Sequence, residues 1–114
     1  MLSLEMTTEA ETVLDVCRAQ GLRVTTVESC TGGLLCAALT AIAGSSDVVE
    51  RGFVTYTNEA KISLVRVPEA LFVAHGAVSE EVARAMAEGG VAHSDADIAV
   101  SLTGIAGPAA ATRK

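Results

Sequence analysis

Apolar residues recur with helical spacing near the start of the chain. Within residues 7–20 they form one stripe at positions i, i+3, i+4 and i+7: Ala10, Val13, Leu14 and Cys17. This spacing predicts an amphipathic helix whose apolar face packs on a core. Thr7 or Thr8 is expected to cap its start, and Gly21 to end it.

The pattern then alternates between short β-branched runs and longer helical stretches. Strands are predicted at 22–27, 52–57 and 97–102, and helices at 34–42, 58–65, 68–74 and 79–93. Asn58 and Ser79 are expected to cap two of these helices, and Pro68 fits the first turn of another. Because helices separate the strands, the sequence predicts one α/β domain over residues 1–114. Its expected architecture is a three-layer α/β/α fold with a mostly parallel or mixed central sheet.

Composition narrows the possible functions. Half of the 114 residues are apolar and the formal net charge is −6. No Lys/Arg stripe is present, so nucleic-acid binding is not expected. No apolar run approaches the length of a membrane span, and the first residues do not resemble a signal peptide. The three cysteines match no zinc spacing and favour a reducing cytoplasm, so neither a metal nor a cofactor is predicted.

Candidate chemistry lies in the three loops that follow the predicted strands. They cover residues 28–33 (E-S-C-T-G-G), 56–61 (Y-T-N-E-A-K) and 103–107 (T-G-I-A-G). Open parallel sheets bind ligands beyond the carboxyl ends of their strands. If the strands are neighbours, these loops converge on one site.

The first loop has two interpretations. In one, Ser29 is a nucleophile, and free N–H groups around Thr31, Gly32 and Gly33 at the start of a helix bind an anion or oxyanion. In the other, these are ordinary turn and cap residues, which is the favoured interpretation from this loop alone. Glu28 either supports the neighbouring residues or is merely polar.

The second loop adds a candidate base. Lys61 lies near a helix start, where the dipole disfavours a cation, and a partly buried lysine there would lose its proton more easily. A serine nucleophile needs such a partner, and Ser–Lys pairs are a known variant. The alternative is a solvated surface charge. Tyr56 either orients a substrate or donates to the lysine, or is an ordinary strand residue.

The third loop and the remaining reactive side chains are less distinctive. Thr103 and Gly104 offer a hydroxyl and an N–H to a carbonyl or phosphate, or form a plain turn. Cys30 competes with Ser29 as a nucleophile, but no histidine is close to it in sequence, which makes it the weaker candidate. His75 and His93 fall at predicted helix ends and are interpreted as surface or capping residues.

Five motifs in these regions occur together in a fixed order. They are E-S-C-T-G-G at 28–33, G-S-S at 44–46, V-T-Y-T-N-E-A-K at 54–61, H-G-A-V-S-E-E-V-A at 75–83 and T-G-I-A-G-P at 103–108. From about residue 5 to Pro108, the chain resembles the CinA C-terminal domain family, which includes nicotinamide-nucleotide amidases. The resemblance implies hydrolysis of nicotinamide mononucleotide to nicotinic acid mononucleotide and ammonia, without a metal. It also implies Ser29 as nucleophile, Lys61 as base, and Tyr56 and Thr103 as further site residues.

The end of the sequence departs from the family pattern. Members usually continue from T-G-I-A-G-P into a glycine-rich run, a further strand and a final helix, whereas here the run is Ala109–Ala111 and the sequence stops at Lys114. The expectation is therefore a domain without the family's last strand and helix. An alternative function follows, that of a catalytically impaired relative that binds a nucleotide or a partner chain. A sheet left open in this way is expected to associate, so a homo-oligomer, most simply a dimer, is predicted.

Overall fold

The computed structural model describes residues 2–105, which form three strands and five α-helices. In chain order these are α1 (Leu4–Gln20), β1 (Val24–Glu28), α2 (Leu34–Thr40), a 3-10 turn (Ser45–Asp47), β2 (Val49–Val54), α3 (Asn58–Val65), α4 (Glu69–His75), α5 (Glu80–Ala92) and β3 (Ile98–Leu102). The predicted order of helices and strands is confirmed. The predicted loop residues 106–108 and the alanine run after them lie outside the described residues.

The three strands form one parallel sheet in the order β2-β1-β3. β1 is central, and Val24 at its start lies opposite Val49 on one side and Ile98 on the other. The chain crosses from β1 to β2 in one direction and then returns past β1 to β3. The carboxyl end of β1 therefore lies where the winding direction reverses, and open α/β sheets form ligand sites at such a point.

Helices cover both faces of the sheet, which confirms the three-layer architecture. On one face, α1 and α2 pack on the first half of β1; this core contains Ala10, Leu14, Cys17, Val24, Leu39, Val48 and Val49. On the other face, α3, α4 and α5 enclose a second core, formed by Val27, Val65, Val67, Val82 and Met86. Burial of each such aliphatic side chain contributes about 1.5–3 kcal/mol.

A pair of glycines lets α5 lie unusually close to its neighbours. A Cβ atom on Gly89 would lie 1.8 Å from the carbonyl oxygen of Val65, at the end of α3. One on Gly90 would lie 2.6 Å from a methyl group of Val27, in β1. Contacts this short do not occur between real atoms, so only glycine fits at Gly89. The close approach fixes α3 against the sheet.

Two predicted helix caps are wrong by a few residues. Ser3, not Thr7 or Thr8, caps α1, because its hydroxyl oxygen accepts the N–H of Met6 at 3.1 Å. Thr7 and Thr8 lie inside α1 and donate their hydroxyls to the carbonyl of Leu4.

At α3 the cap is Thr57 rather than Asn58. The hydroxyl oxygen of Thr57 accepts the N–H of Ala60 at 3.0 Å, and Asn58 is the first helical residue. Gly21 and Ser79 lie where they were predicted: Gly21 ends α1 with a φ of 67° and Ser79 caps α5. Pro68, expected in the first turn of α4, is instead its N-cap residue, since the helix begins at Glu69.

Other corrections concern burial and strand limits. Val13, expected in the apolar stripe of α1, is 45% exposed, since the helix buries only Ala10, Leu14 and Cys17. β2 begins at Val49, three residues earlier than predicted, because Val49 pairs with Val24. It ends at Val54. α2 ends at Thr40, two residues before the predicted end.

No helix in residues 2–105 is long and apolar enough to cross a membrane.

Candidate active site

Ser29 is the first residue after β1 and lies where the central strand leaves the sheet. Its N–H donates to the carbonyl of Leu102 at the end of β3, over 3.0 Å. This bond continues the ladder between the two strands by one residue and fixes the position of the main chain. Only 6% of Ser29 is exposed, so its hydroxyl lies in a partly enclosed position.

Lys61 reaches the same place from the first turn of α3. Its side chain is buried, with 2% exposure, and its Nζ atom lies 3.2 Å from the Oγ atom of Ser29. No carboxylate in residues 2–105 forms an ion pair with it. The alternative of a solvated surface charge is therefore wrong for Lys61.

Burial changes the acid–base behaviour of this lysine. It lowers the pKa of the Lys61 ammonium below its ordinary value, and the electrostatic influence of neighbouring side chains, including Glu59, offsets only part of that effect. The sequence predicted the same direction from the helix dipole and partial burial, and removal from water is the larger cause. A neutral amine at hydrogen-bond distance from a hydroxyl can accept its proton.

Tyr56 contributes to the site through its main chain. Its carbonyl oxygen accepts the hydroxyl of Ser29 and the Nζ group of Lys61, each at 3.4 Å. Tyr56 itself is 63% exposed. Sequence reasoning considered only the phenol, because a carbonyl gives no signal in residue type.

Glu28 occupies the helix start that was expected to bind an anion. Its carboxylate is fully buried and accepts the hydroxyl of Thr31 at 2.6 Å and the N–H groups of Leu35 and Cys36 at 2.9 Å each. The Thr31 hydroxyl and the first turn of α2 are therefore already bound. These three donors are therefore not free to bind a substrate anion, while the role expected for the main-chain N–H groups around Thr31, Gly32 and Gly33 stays a prediction.

The charge of Glu28 is held by those same bonds. Burial alone would raise the pKa of the Glu28 carboxyl, but the hydrogen bonds from Thr31, Cys36 and Leu35 outweigh it and lower the pKa below its usual value. The carboxylate is therefore ionised at neutral pH. The sequence showed only a polar residue at the end of a strand and did not indicate this role.

The glycines shape the turn that follows Ser29. Gly32 and Gly33 have φ values of 62° and 106°, in the left-handed region where a side chain is strained. The N–H of Gly32 donates back to the carbonyl of Ser29 over 3.0 Å. The predicted turn into a helix is thus present, with the nucleophile candidate at its first position.

The third loop touches the first one through Cys30. A Cβ atom on Gly104 would lie 3.1 Å from the Sγ atom of Cys30, so glycine allows this approach. The hydroxyl of Thr103 donates to the carbonyl of Ala77 over 3.0 Å, and no hydrogen bond joins it to Ser29 or Lys61 within residues 2–105. Of the four predicted catalytic side chains, only Ser29 and Lys61 are seen to meet.

The described residues show no arrangement suited to a metal. No group of three His, Cys, Asp or Glu side chains that could hold an ion occurs within residues 2–105. The Nδ1 atom of His93 lies 2.8 Å from the carbonyl of Gly89 at the end of α5, and His75 lies 3.7 Å from Glu81. Cys17, Cys30 and Cys36 are free thiols.

Comparisons with known proteins agree with one another. The family model of the CinA C-terminal domain matches residues 6–114. A putative competence-damage inducible protein of Symbiobacterium thermophilum is 60% identical over 89 residues, which cover 78% of this chain and 21% of the relative. A CinA-like protein of Chloroherpeton thalassium is 51% identical over 102 residues, covering 90% of this chain and 24% of the relative.

Solved structures show the same similarity. The competence/damage inducible protein CihA of Agrobacterium tumefaciens superposes with a TM-score of 0.91 at 47% identity, covering 95% of this chain and 66% of that one. A CinA superfamily protein of Escherichia coli gives 0.89 at 36% identity, covering 95% and 64%. The chain thus spans about a quarter or less of the length of these curated relatives and about two thirds of these solved chains.

Proposed function

The chain belongs to the CinA C-terminal domain family, and from this premise we propose that it is an amidohydrolase acting on nicotinamide mononucleotide. The products would be nicotinic acid mononucleotide and ammonia, as in the salvage of pyridine nucleotides. The observation that carries the proposal is the buried pair of Ser29 and Lys61, whose reactive atoms are 3.2 Å apart. Amide hydrolysis by a serine needs a base at this distance.

In the proposed mechanism, Lys61 is neutral in the resting state and takes the proton of Ser29. The Oγ atom of Ser29 then attacks the carboxamide carbon, and the carbonyl oxygen becomes an oxyanion. Lys61 passes its proton to the nitrogen, the C–N bond breaks and ammonia leaves. A water molecule, deprotonated by Lys61, attacks the acyl carbon. The bond from that carbon to Ser29 Oγ then breaks, Lys61 returns the proton to Oγ, and nicotinic acid mononucleotide leaves.

The oxyanion would be stabilised by main-chain donors of the first loop. The main-chain N–H groups of Cys30 and Thr31 donate no hydrogen bond to another residue within the described residues, 2–105. Such donors are typically worth about 10²–10³ in rate each. We place Gly32, Gly33 and Gly104 around the substrate; nothing lies within 4 Å of a Cβ position on Gly32. Tyr56 is assigned to the pair through its carbonyl, and Thr103 to holding the third loop against Ala77.

Ammonia release from nicotinamide mononucleotide tests this proposal. We expect release by the parent chain, and losses of at least about 10³-fold in Ser29→Ala and Lys61→Met. Ser63→Ala, an exposed position on the same helix as Lys61, is the matched control and should match the parent. Equal rates in Ser29→Ala and the parent would overturn the assignment of the nucleophile, and no release by a folded parent would overturn the activity.

One observation favours a second candidate function, in which the chain binds a nucleotide or a partner chain without hydrolysing a substrate. Ala99 and Ser101 face α5, so Ile98 and Val100 point to the other side of β3, where both are exposed. We propose that a second copy of this chain in a homodimer covers that face. Calorimetry that detects the nucleotide without hydrolysis would favour this candidate, and light scattering would report the dimer.

The setting is part of the same proposal. Three free cysteines in a small domain fit a reducing compartment, and we propose the cytoplasm as the location. The substrate would be a small nucleotide rather than a nucleic acid. Its phosphate needs a cation or free N–H groups outside the first turn of α2, which Glu28 already occupies.

A further inference from the structure

We propose that Glu28 is the positioning residue of the Ser29–Lys61 pair. Its side chain fixes the turn that carries Ser29, and its main-chain carbonyl fixes the loop that carries Lys61. One residue thus holds both partners at 3.2 Å. This inference rests on the proposed hydrolytic function of the pair, and it adds a role that the reaction itself does not require of a carboxylate.

The side chain of Glu28 supplies a cap that α2 lacks. The N-cap residue of α2 is Gly33, which has no side chain to accept the free N–H groups of the first turn. Glu28 accepts two of them, from Leu35 and Cys36, and the hydroxyl of Thr31 as well. These bonds tie residues 28–36 into one closed turn. Ser29 is the next residue after Glu28, so its backbone moves with that turn.

The main chain of Glu28 reaches the other partner. Its carbonyl oxygen accepts the N–H of Thr55 at 2.7 Å and the Thr55 hydroxyl at 3.4 Å. Thr55 is fully buried and precedes Tyr56, whose carbonyl accepts from both Ser29 and Lys61. Lys61 lies four residues after Thr57, and the carbonyl of Thr57 accepts the N–H of Lys61 at 3.1 Å. A continuous path of bonds therefore runs from Glu28 to each reactive group.

The contacts of Glu28 argue against a role as proton acceptor. All three of its side-chain partners are donors of the α2 turn, and it forms no hydrogen bond to Ser29 Oγ or Lys61 Nζ in the described part of the chain. It acts through position. Small displacements of reacting groups, of about 1 Å, reduce rates by roughly 10²-fold.

Glu28→Gln is the sharpest variant because it keeps the shape of the side chain. One of its terminal atoms becomes an NH₂ donor facing the N–H of Leu35 or Cys36, so at least one bond becomes a repulsion. Glu28→Asp keeps the charge but is one methylene too short to reach both N–H groups. Thr31→Ala removes one bond of three and should give a smaller loss. Glu88→Gln, exposed on α5, is the matched control.

Two readouts separate this inference from the proposed activity. The first is hydrolysis of nicotinamide mononucleotide, with kcat, KM and the pH profile of kcat/KM for each variant. The second is the rate at which a small alkyl fluorophosphonate labels Ser29, which needs the pair but not the nucleotide. Circular dichroism and thermal melting establish the folded fraction, to which both rates are normalised.

In Glu28→Gln and Glu28→Asp we expect kcat and the labelling rate to fall by about 10- to 100-fold, with KM within about twofold and the midpoint of the pH profile unchanged. Parent rates of labelling in folded Glu28→Gln would overturn the inference, as would a shift in the midpoint, which would mean action through charge. If the parent labels but does not hydrolyse the nucleotide, the proposed function fails while the labelling series still decides the role of Glu28.

Discussion

The Nζ atom of Lys61 lies 3.2 Å from the Oγ atom of Ser29, although 32 positions separate the two residues in the chain. Ser29 directly follows β1, and Lys61 lies in the first turn of α3. Both are nearly removed from water, with 6% and 2% exposure. Since a buried cation without a carboxylate partner is costly, this arrangement is best explained by use of the neutral amine.

The activity should rise with pH through the native pKa of Lys61. Burial lowers that pKa below 10.5, and only the neutral amine, which predominates above the pKa, accepts the proton of Ser29. Glu59 is exposed and its negative charge raises the pKa of Lys61, so Glu59→Gln should move the rising limb to lower pH. Measurement of kcat/KM against pH checks this, with Glu69→Gln as a control on α4. A limb that falls with rising pH would contradict the role of Lys61.

Lys61→Met should abolish activity and stabilise the fold. Because the pKa of Lys61 is lower in the folded chain than in the unfolded chain, the unfolded chain binds more protons between the two values. The free energy of unfolding of the parent therefore rises with pH across that window, up to about pH 10.4. Below the window, the full cost of burying the charged amine lowers this free energy. Lys61→Met should lack this dependence, and its advantage should be largest at neutral pH.

Urea denaturation at several pH values measures the difference. The free energy of unfolding of both chains is compared at each pH, so that effects of other titrating groups cancel. A parent that is more stable than Lys61→Met at neutral pH would show that the amine stabilises the fold, contrary to this expectation.

Gly89→Ala should destabilise the protein although it improves helix propensity. Alanine in a helix interior is favoured over glycine by about 1 kcal/mol. Here the added Cβ would lie 1.8 Å from the carbonyl oxygen of Val65, so α5 must move away from α3. We expect a net loss of about 2 kcal/mol or more. Denaturant titration beside Glu88→Ala, an exposed neighbour expected within about 0.5 kcal/mol of the parent, measures it.

Cys30→Ala should retain most of the hydrolytic activity. Cys30 is half-buried beside Gly104 and does not appear among the hydrogen-bond partners of Ser29 or Lys61 in residues 2–105. Loss of its thiol leaves the pair intact, so we expect a change of no more than about tenfold. A loss as large as that of Ser29→Ala would favour a cysteine nucleophile instead. Ammonia release by the two variants under identical conditions decides between them.

Much of the fold followed from pattern alone. The helical spacing of Ala10, Leu14 and Cys17 and the left-handed stop at Gly21 are local signals, and the structure has both. Caps were harder, because Ser3 and Thr7, or Thr57 and Asn58, are all acceptable cap residues. The choice between them depends on where the helix packs, which a local pattern does not contain.

The site was predictable in its reactive side chains and less so in its supports. Ser29 and Lys61 could be paired because each residue type needs the other for this chemistry. The carbonyl of Tyr56 could not be predicted, since every residue has one. Glu28 was missed as a cap because it precedes Gly33, the N-cap residue of α2, by five positions, whereas local caps act over two or three. Gly89 depends on a contact with a different helix.

The strand order also sets the timing of synthesis. The N–H of Arg23, at the start of β1, bonds to the carboxylate of Asp97, which precedes β3 and is made 74 positions later. At about 5–20 residues per second, the central strand leaves the ribosome about 4–15 s before its second partner exists. During that interval the edge of β1 destined for β3 is free to pair with other nascent chains. The segment that ends at Ser29 thus stays open to wrong pairing for that interval while the protein is being made.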